Sequence, residues 1–398
     1  MHLNQLSPDG KTVLLRVDLN VPMQTGRVTD ATRILRVLPT IRWLATRGAK
    51  VVLLSHFGRP KGEYNPSMSL APLVDALQAY LPEHEVRFGV DCIGAAAAEA
   101  VRSAKAGDVV LLENLRFHAE EENGDALFAR QIAALGDVYV NDAFSCSHRP
   151  HASIFHLPKL LPSFCGLAMQ EEIETLESLF SAPERPLAAI VGGAKVSTKL
   201  ALLEHLLEKV DYLMIGGAMA NTFLCAQGYH LGASLYEAEM LETARAILSK
   251  AAEKNCRLML PVDLVVTQTF SAHAPCTLVG VDAVPATAMA LDIGPDSLID
   301  YAAALKTCRT LVWNGPLGAF ETAPFDNATV FLARVAARLS ADGQLKSVAG
   351  GGDTLSALAY AGVAEQFSYR STAGGAFLEW LEGKALPGVE ALRRVIAA

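Results

Sequence analysis

The chain has no C-x-x-C pair, and its seven cysteines, at 92, 146, 165, 225, 256, 276 and 308, are scattered and odd in number. That spacing reads as reduced thiols rather than a disulfide frame or a zinc site. A long apolar run is also missing. The longest uncharged stretch, Tyr212 to Tyr236, is interrupted by paired glycines, Asn221, Gln227 and His230, unlike a membrane-spanning helix. Met1-His2-Leu3-Asn4-Gln5 lacks the basic start and apolar segment of a signal peptide. No segment mixes basic and aromatic residues as a nucleic-acid surface does, and net positive charge is absent: the formal charge is −8. Residues 1–165 hold 17 Lys+Arg against 17 Asp+Glu, so the whole excess of negative charge falls in the remainder. An acidic half is a poor partner for nucleic acid, whose affinity rests on phosphate neutralisation. The expectation is a soluble, cytoplasmic protein that binds neither membrane nor nucleic acid.

Two nucleotide signatures are absent as well. Gly10-Lys11-Thr12 has the end of a P-loop, but Gln5 stands where its first glycine belongs, and no G-x-G-x-x-G follows any predicted strand. With 398 residues, high apolar content and no low-complexity linker, two closely packed domains of similar size are expected.

What the chain does contain is an alternation of short β-branched runs with helical patterns, the mark of α/β layering on mostly parallel sheets. Strands are predicted at Thr12–Val17, Lys50–Leu54, Val109–Leu112 and Val138–Val140, then at Leu187–Val191, Tyr212–Ile215, Arg257–Leu260, Thr310–Trp313 and Ser347–Ala349. Helices are predicted at Arg33–Arg47, Leu70–Tyr80, Ala95–Lys105 and Asp125–Leu135, then at Val196–Lys209, Glu237–Lys254, Asn327–Leu339 and Thr354–Ala361. Gln170–Phe180 reads as a connecting helix. The fold class expected is α/β: two doubly wound, Rossmann-like domains, each a mostly parallel sheet flanked by helices, with a cleft between them.

Anion-binding residues divide between the halves. The first carries Arg16-Val17-Asp18-Leu19-Asn20, Ser55-His56-Phe57-Gly58-Arg59-Pro60, Asn114-Leu115-Arg116-Phe117 and Ser147-His148-Arg149-Pro150-His151. Guanidinium forks suit a small, densely charged phosphate or carboxylate. The second carries Gly192-Gly193-Ala194-Lys195, Gly216-Gly217-Ala218, Asn314-Gly315-Pro316-Leu317-Gly318 and Gly350-Gly351-Gly352-Asp353-Thr354. Such turns bring backbone N–H groups against a polyphosphate. Nearly all follow predicted strands, the end of an open α/β sheet where ligands bind.

Lys195 and Lys199, four apart, are expected on one face of a helix start, where a bound polyphosphate would offset two cations opposing the macrodipole. Asp353 suits either a helix cap or Mg²⁺, and the neighbouring glycine turns favour the metal. Glu321 can accept from ribose hydroxyls. Taken singly, Arg16 with Asp18 reads as a buried ion pair, Arg116 as a surface residue, and Glu120-Glu121-Glu122 as a solvated face or helix start.

Together these segments closely resemble the phosphoglycerate kinase family over nearly the whole chain: RVDLNVP (16–22), SHFGRP (55–60), ENLRF (113–117), NDAFSCSHRPHAS (141–153), GGAKVSTKL (192–200), LPVD (260–263), VWNGPLGAFE (312–321), AGGGDT (349–354) and STAGGAFLEWLEGKALPGVEAL (371–392). The resemblance implies reversible phosphoryl transfer from 1,3-bisphosphoglycerate to Mg-ADP, giving 3-phosphoglycerate and Mg-ATP, in a monomer of glycolysis and gluconeogenesis. By motif position it implies a phosphoglycerate site of Asp18, Leu19, Asn20, Arg33, His56, Phe57, Gly58, Arg59, Arg116 and Arg149. The nucleotide side would be Gly193, Ala194, Lys195, Lys199, Asn314, Pro316, Glu321, Gly351, Gly352, Asp353 and Thr354, with Asp353 on Mg²⁺. Catalytic roles would fall to Arg33, Lys195, Lys199 and the backbone near Gly352 and Gly374. The domains implied are 1–168 for phosphoglycerate, with 386–398 packing back on it, an interdomain helix at 169–182, and 183–385 for Mg-nucleotide.

The acceptor carboxylate is already ionised at neutral pH, so no general base is required. Catalysis reduces to positioning and charge stabilisation, with domain closure to exclude water. Four departures from the family pattern stand out: Ser145-Cys146-Ser147 where Gly-Thr-Ala is common, Thr198 for a frequent Asp, and Ala218 and Ala373 each for one glycine of a triplet. None removes a charged residue of the implied site. A nucleotide-binding scaffold without turnover and a kinase of another small carboxylate are the rival readings. The intact Arg33, Lys195, Lys199 and Asp353 oppose the first; the several arginines and His56 favour an acceptor bearing its own phosphate over the second.

Overall fold

A computed structural model describes residues 2–394. The chain divides into two compact units, one running up to Glu174 and including the segment from Ala385 onward, the other spanning Thr175–Lys384. The long helix Leu167–Ser181 carries the division between Glu174 and Thr175. The end of the expected 386–398 return lies outside the described residues from 395 on.

In the first unit six parallel strands lie side by side in the order Val86–Gly89, Val109–Leu112, Lys50–Leu54, Thr12–Arg16, Val138–Asn141, Ser163–Cys165. Their apolar runs are buried almost throughout, as strands covered on both faces must be. Helix Thr32–Ala45 shows how the covering is written: Ile34, Val37, Leu38, Ile41 and Leu44 recur at helical spacing and are all buried. Asp30 starts this helix by accepting from Thr32 N at 2.8 Å, which fixes where Arg33 leaves the first turn. Thr12–Arg16 pairs with Lys50–Leu54 on one side and Val138–Asn141 on the other. Strand order therefore reverses beside Thr12–Arg16, and the loops leaving it and Val138–Asn141 flank a topological switch point.

The second unit has the strand order Arg257–Met259, Tyr212–Gly216, Leu187–Gly192, Thr310–Asn314, Lys346–Gly350, Tyr369–Ser371, again parallel. Numbered along the chain this is 3-2-1-4-5-6, the order of dinucleotide-binding sheets, although their glycine fingerprint is missing. Its switch point falls between Leu187–Gly192 and Thr310–Asn314.

Several expectations need correcting. The helix predicted at Val196–Lys209 begins at Leu200 and ends at Leu207, so Lys195 and Lys199 do not share a helix face; both lie in the turn before it. The uncharged stretch Tyr212–Tyr236 resolves into strand Tyr212–Gly216 and helix Ala218–Ala226, joined by Gly217 at φ +70°. An antiparallel sheet was not anticipated: Asp263–Thr267 pairs with Thr277–Gly280 and Met289–Ile293. Helix Pro295–Thr307 follows it. Glu120-Glu121-Glu122 does open a short helix, Ala119–Glu122, with Glu120 and Glu122 exposed, but Glu121 is fully buried, and its carboxylate accepts from Ser153 N at 2.9 Å and Ser153 Oγ at 2.6 Å.

Candidate active site

The first unit gathers its basic residues around the switch point. Arg16 ends the central strand, is fully buried, and donates from Nε to Ser153 Oγ at 2.9 Å, with Val17 O on a second nitrogen. It does not pair with Asp18. The partner of Asp18 is Arg33, whose guanidinium bonds Asp18 Oδ2, while Ser145 Oγ donates to the same oxygen at 2.5 Å and Asn20 N to Oδ1 at 3.0 Å. Burial works against the charge on Asp18, but Arg33 and these hydrogen bonds hold its carboxyl well below the usual range. Arg33 keeps a third of its side chain exposed, so the guanidinium retains donors for a ligand.

His56 sits 3.4 Å from Arg16, Nδ1 to Nη2. Burial, reinforced by Arg16, Arg116 and Arg33, pushes its pKa down to about 3 against the pull of Asp18. The imidazole is therefore neutral at working pH. With Nδ1 accepting from a guanidinium, the proton belongs on Nε2, which makes His56 a hydrogen-bond donor rather than a cation. Asn114 shapes the adjoining loop: Oδ1 accepts from Phe57 N at 3.1 Å and Arg116 N at 3.0 Å, and Nδ2 donates to Phe57 O at 2.7 Å. Arg116 donates to Gly58 O at 2.9 Å and faces Glu122, so it is a tethered, half-buried residue and not a loose surface arginine. Asn20 Oδ1 accepts from Gly58 N at 2.9 Å. Arg59 and Arg149 are exposed, Phe57 is half-buried against the core, and Leu19 is wholly core. Only the backbone of Leu19 is available, and its N–H goes to Ser55 Oγ at 2.9 Å.

In the second unit the turns of the switch point interlock through backbone. Lys199 Nζ donates to Gly192 O at 2.6 Å, Asn314 Oδ1 at 2.7 Å and Asn314 O at 3.3 Å. Asn314 Nδ2 donates to Gly350 O at 2.8 Å, and Gly315 N donates to Thr354 Oγ1 at 2.7 Å. One ammonium, one amide and one hydroxyl thus join three strand exits. Thr354 is buried, and by accepting from Gly315 N its hydroxyl helps shape the loop while its own O–H stays available as a donor. Gly193, Ala194, Lys195, Pro316 and Gly351 line the same turns, and Gly352 and Asp353 open helix Gly352–Tyr360. Gly374, at φ +55°, is the residue before helix Gly375–Leu381, and Ala373 beside it is buried. Glu321 is exposed and makes no hydrogen bond among the described residues.

Burial pulls the Lys199 ammonium down to about 8, against an opposing pull from Asp353. The cation is present below that value and lost above it. Polyphosphate affinity is therefore expected to fall as pH rises through 8. Calorimetric titration with ADP between pH 6.5 and 9 checks this, and a flat profile would remove the Lys199 ammonium from the site.

Three residues belong with the first cluster although the site implied by the resemblance did not include them. Arg16 and His151 are buried beside Arg116, and His148 accepts from Arg149 Nε at 3.3 Å. Burial, then Arg116, Arg16, Arg149 and His148, push His151 down to about 3, and its Nδ1 has no hydrogen-bond partner among the described residues. The signal for all three was their place in the Arg16 and Ser147–His151 motifs.

Two doubly wound sheets, one with guanidinium groups at its switch point and the other with glycine turns and lysines, define an α/β phosphotransferase. The family profile for phosphoglycerate kinase matches residues 3–384. A phosphoglycerate kinase of Methylorubrum extorquens (strain PA1) is 60% identical over 384 residues, covering 96% of each chain. One from Rhizobium meliloti (strain 1021) is 56% identical over 385 residues, covering 97% of this chain and 96% of the relative. The structure of phosphoglycerate kinase from Coxiella burnetii superimposes with a TM-score of 0.92 at 41% identity, covering all of both chains. The chain belongs to the phosphoglycerate kinase family. It is accordingly a kinase, a transferase of glycolysis.

Proposed function

We infer that this chain catalyses reversible transfer of a phosphoryl group from 1,3-bisphosphoglycerate to Mg-ADP, giving 3-phosphoglycerate and Mg-ATP. The observation that carries the reading is the clustering of Arg33, His56 and Arg116 with Asp18 and Asn20 at the first switch point. Several fixed donors there suit an acid that bears its own phosphate. Arg33, Arg59, Arg116 and Arg149 bind its anionic groups, His56 donates from Nε2, and Asp18 and Asn20 take its hydroxyl and hold the loop. The alternative of another small carboxylate is tested by a substrate panel, in which acetate-like acids should be inert.

In the direction of ATP consumption the attacking group is a carboxylate, ionised at neutral pH, so no base is asked of the protein. The work left is to place charge around the moving phosphoryl group. Arg33 and Lys195 take its equatorial oxygens, and Lys199 the nucleotide phosphates. The N–H groups of Gly352 and Gly374 add donors, being of the kind that helix N-termini leave without intrahelical partners. Glu321 accepts from the ribose.

Asp353 fits a hard cation. Its carboxylate is exposed in the first turn of a helix, makes no hydrogen bond among the described residues, and adjoins Gly352, where a Cβ would meet only open space. Asp353 would hold Mg²⁺, which when bound neutralises nucleotide phosphate charge. Asp353→Ala should raise the Mg²⁺ concentration for half-maximal activity, and an unchanged Mg²⁺ dependence would sink the assignment. The protein acts as a cytoplasmic monomer, without nucleic acid or membrane. The whole reading is tested by ADP formation from Mg-ATP with and without 3-phosphoglycerate, trapping acyl phosphate with hydroxylamine. Hydroxamate that depends on both substrates supports it; its absence despite binding of both ligands favours a silent scaffold.

A further inference from the structure

We propose that Asp91, Cys92 and His118 form a binding site for one thiophilic divalent cation of the Zn²⁺ class, separate from the residues assigned to substrate and nucleotide. Asp91 and Cys92 lie in the turn between strand Val86–Gly89 and helix Gly94–Ser103. His118 comes from another part of the first unit, between the 3₁₀ turn Leu115–Phe117 and helix Ala119–Glu122. One ligand atom from each residue lies within 4.8 Å of the others. An ion holding sulfur at about 2.3 Å and nitrogen or oxygen at about 2.0–2.2 Å reaches at most about 4.5 Å between two ligand atoms, so small side-chain rotations would draw the three in onto it.

The site is built, not merely crowded. His118 Nε2 is hydrogen-bonded to Asp91 Oδ1 at 2.8 Å, and its ring packs on Phe128 with centroids 5.2 Å apart. The same Asp91 oxygen accepts from Cys92 N at 2.6 Å, fixing the turn that carries the thiol. The thiol is fully buried against the Asp91 side chain. Asp91 and His118 leave 42% and 27% of their side chains exposed, so the trio opens to solvent on their side and is floored by sulfur. Around it the field is negative. Glu121 adds its charge to that of Asp91 beside the sulfur, and a dication would relieve that repulsion.

The donor set names the class of ion. A thiolate, an imidazole and one carboxylate suit Zn²⁺, Co²⁺ and Cd²⁺, whereas Mg²⁺ and Ca²⁺ prefer oxygen alone. Binding replaces the thiol S–H bond by a metal–sulfur bond and releases that proton to solvent, while the proton that His118 Nε2 shares with Asp91 moves to the other ring nitrogen and frees Nε2 for the ion. The fourth position faces water. The ion would tie the turn after Val86–Gly89 to the segment Leu115–Glu122, which holds Arg116.

The test is titration of the whole protein with Co²⁺, read by thiolate-to-metal charge transfer in the near ultraviolet and by visible d–d bands. The expected result is one equivalent bound, displaced by Zn²⁺ and not by Mg²⁺. Cys92→Ser should abolish the charge-transfer band, and Cys276→Ser, at an exposed thiol, should leave it intact. Because Cys92 is buried, His118→Ala supplies a second arm at a partly exposed position. It should weaken Co²⁺ by at least about 10–100-fold, the loss that removal of an outer partner alone produces. It should also remove any rise in melting temperature that Zn²⁺ confers. The proposal is overturned if no charge-transfer band appears, if the band survives Cys92→Ser, or if His118→Ala binds with undiminished affinity.

Discussion

Replacing Arg33 by alanine should lower turnover by about 10²–10³-fold, the loss that accompanies removal of one fixed donor to developing charge, while leaving ADP affinity nearly intact. The reasoning runs from the helix start outward. Asp30 sets the first turn of Thr32–Ala45, and Asp18 then holds the Arg33 guanidinium at the exit of the central strand. Alanine removes the donor and leaves the carboxylate of Asp18 with only Ser145 and Asn20 as partners. Losing half of a buried pair is costly, so part of the effect will be local disorder. Arg33→Lys separates the two contributions: it keeps a cation near Asp18 but cannot serve carboxylate and ligand through a planar fork. Steady-state kinetics with 3-phosphoglycerate and calorimetry with ADP decide the matter. Nucleotide affinity falling as far as turnover would mean that Arg33 does not belong to the sugar-acid side.

That pairing also marks the limit of what was legible beforehand. The motifs placed Asp18 and Arg33 in one site, yet single-residue reasoning coupled Asp18 with Arg16, two residues back in what reads as one strand, although the strand ends at Arg16. Successive strand residues point to opposite faces but i and i+2 share one, so the guess was geometrically sound as far as it went. What overrode it was Ser153, 137 residues away in sequence, which takes Arg16 and is itself held by buried Glu121. A glutamate within Glu120-Glu121-Glu122 carries no local sign that it will be buried, because the group that satisfies it comes from a distant loop. The sheets were readable because strands such as Val109–Leu112 are short unbroken apolar runs between turn residues. The antiparallel strand Thr277–Gly280 was not, since it is largely exposed and has no apolar face to betray it. The lysines of Gly192–Lys199 were correctly assigned to a strand exit and wrongly to a helix, whose start at Leu200 is set by packing of Leu202, Leu203, Leu206 and Leu207.

Gly192→Ala should damage the second unit more than any charge reversal on its surface. A Cβ at Gly192 would overlap the Pro316 carbonyl, a backbone atom that cannot swing away as a side chain can. Overpacking in a well-filled interior costs about 1–3 kcal/mol, and relief here requires the Asn314–Pro316 turn itself to move. That turn carries both Asn314 contacts to Lys199, so displacement uncouples the lysine from its anchors. A loss of about 3 kcal/mol corresponds to a fall in melting temperature of about 6–12 °C for a unit of this size. ADP binding should weaken at least tenfold (about 1.4 kcal/mol), with 3-phosphoglycerate binding retained. Differential scanning calorimetry with each ligand in turn checks both halves of the prediction. An unchanged melting profile would show that the turn yields freely and that its close packing is not what holds the nucleotide side together.

The first unit is discontinuous in the chain, and this bears on how it is made. Helix Pro387–Arg394 returns to the unit begun by the first strand, where Gly388 N donates to Ser147 O at 2.9 Å and Leu386, Val389, Ala391 and Leu392 are buried. Synthesis is vectorial, and domains generally fold as they emerge. All of Thr175–Lys384 is in hand before the segment from Ala385 leaves the ribosome. The second unit is a continuous stretch and can close on itself early. The loop carrying Ser147, His148, Arg149 and His151 must wait for its last support. The nascent protein can therefore hold a finished second unit while its first is still incomplete.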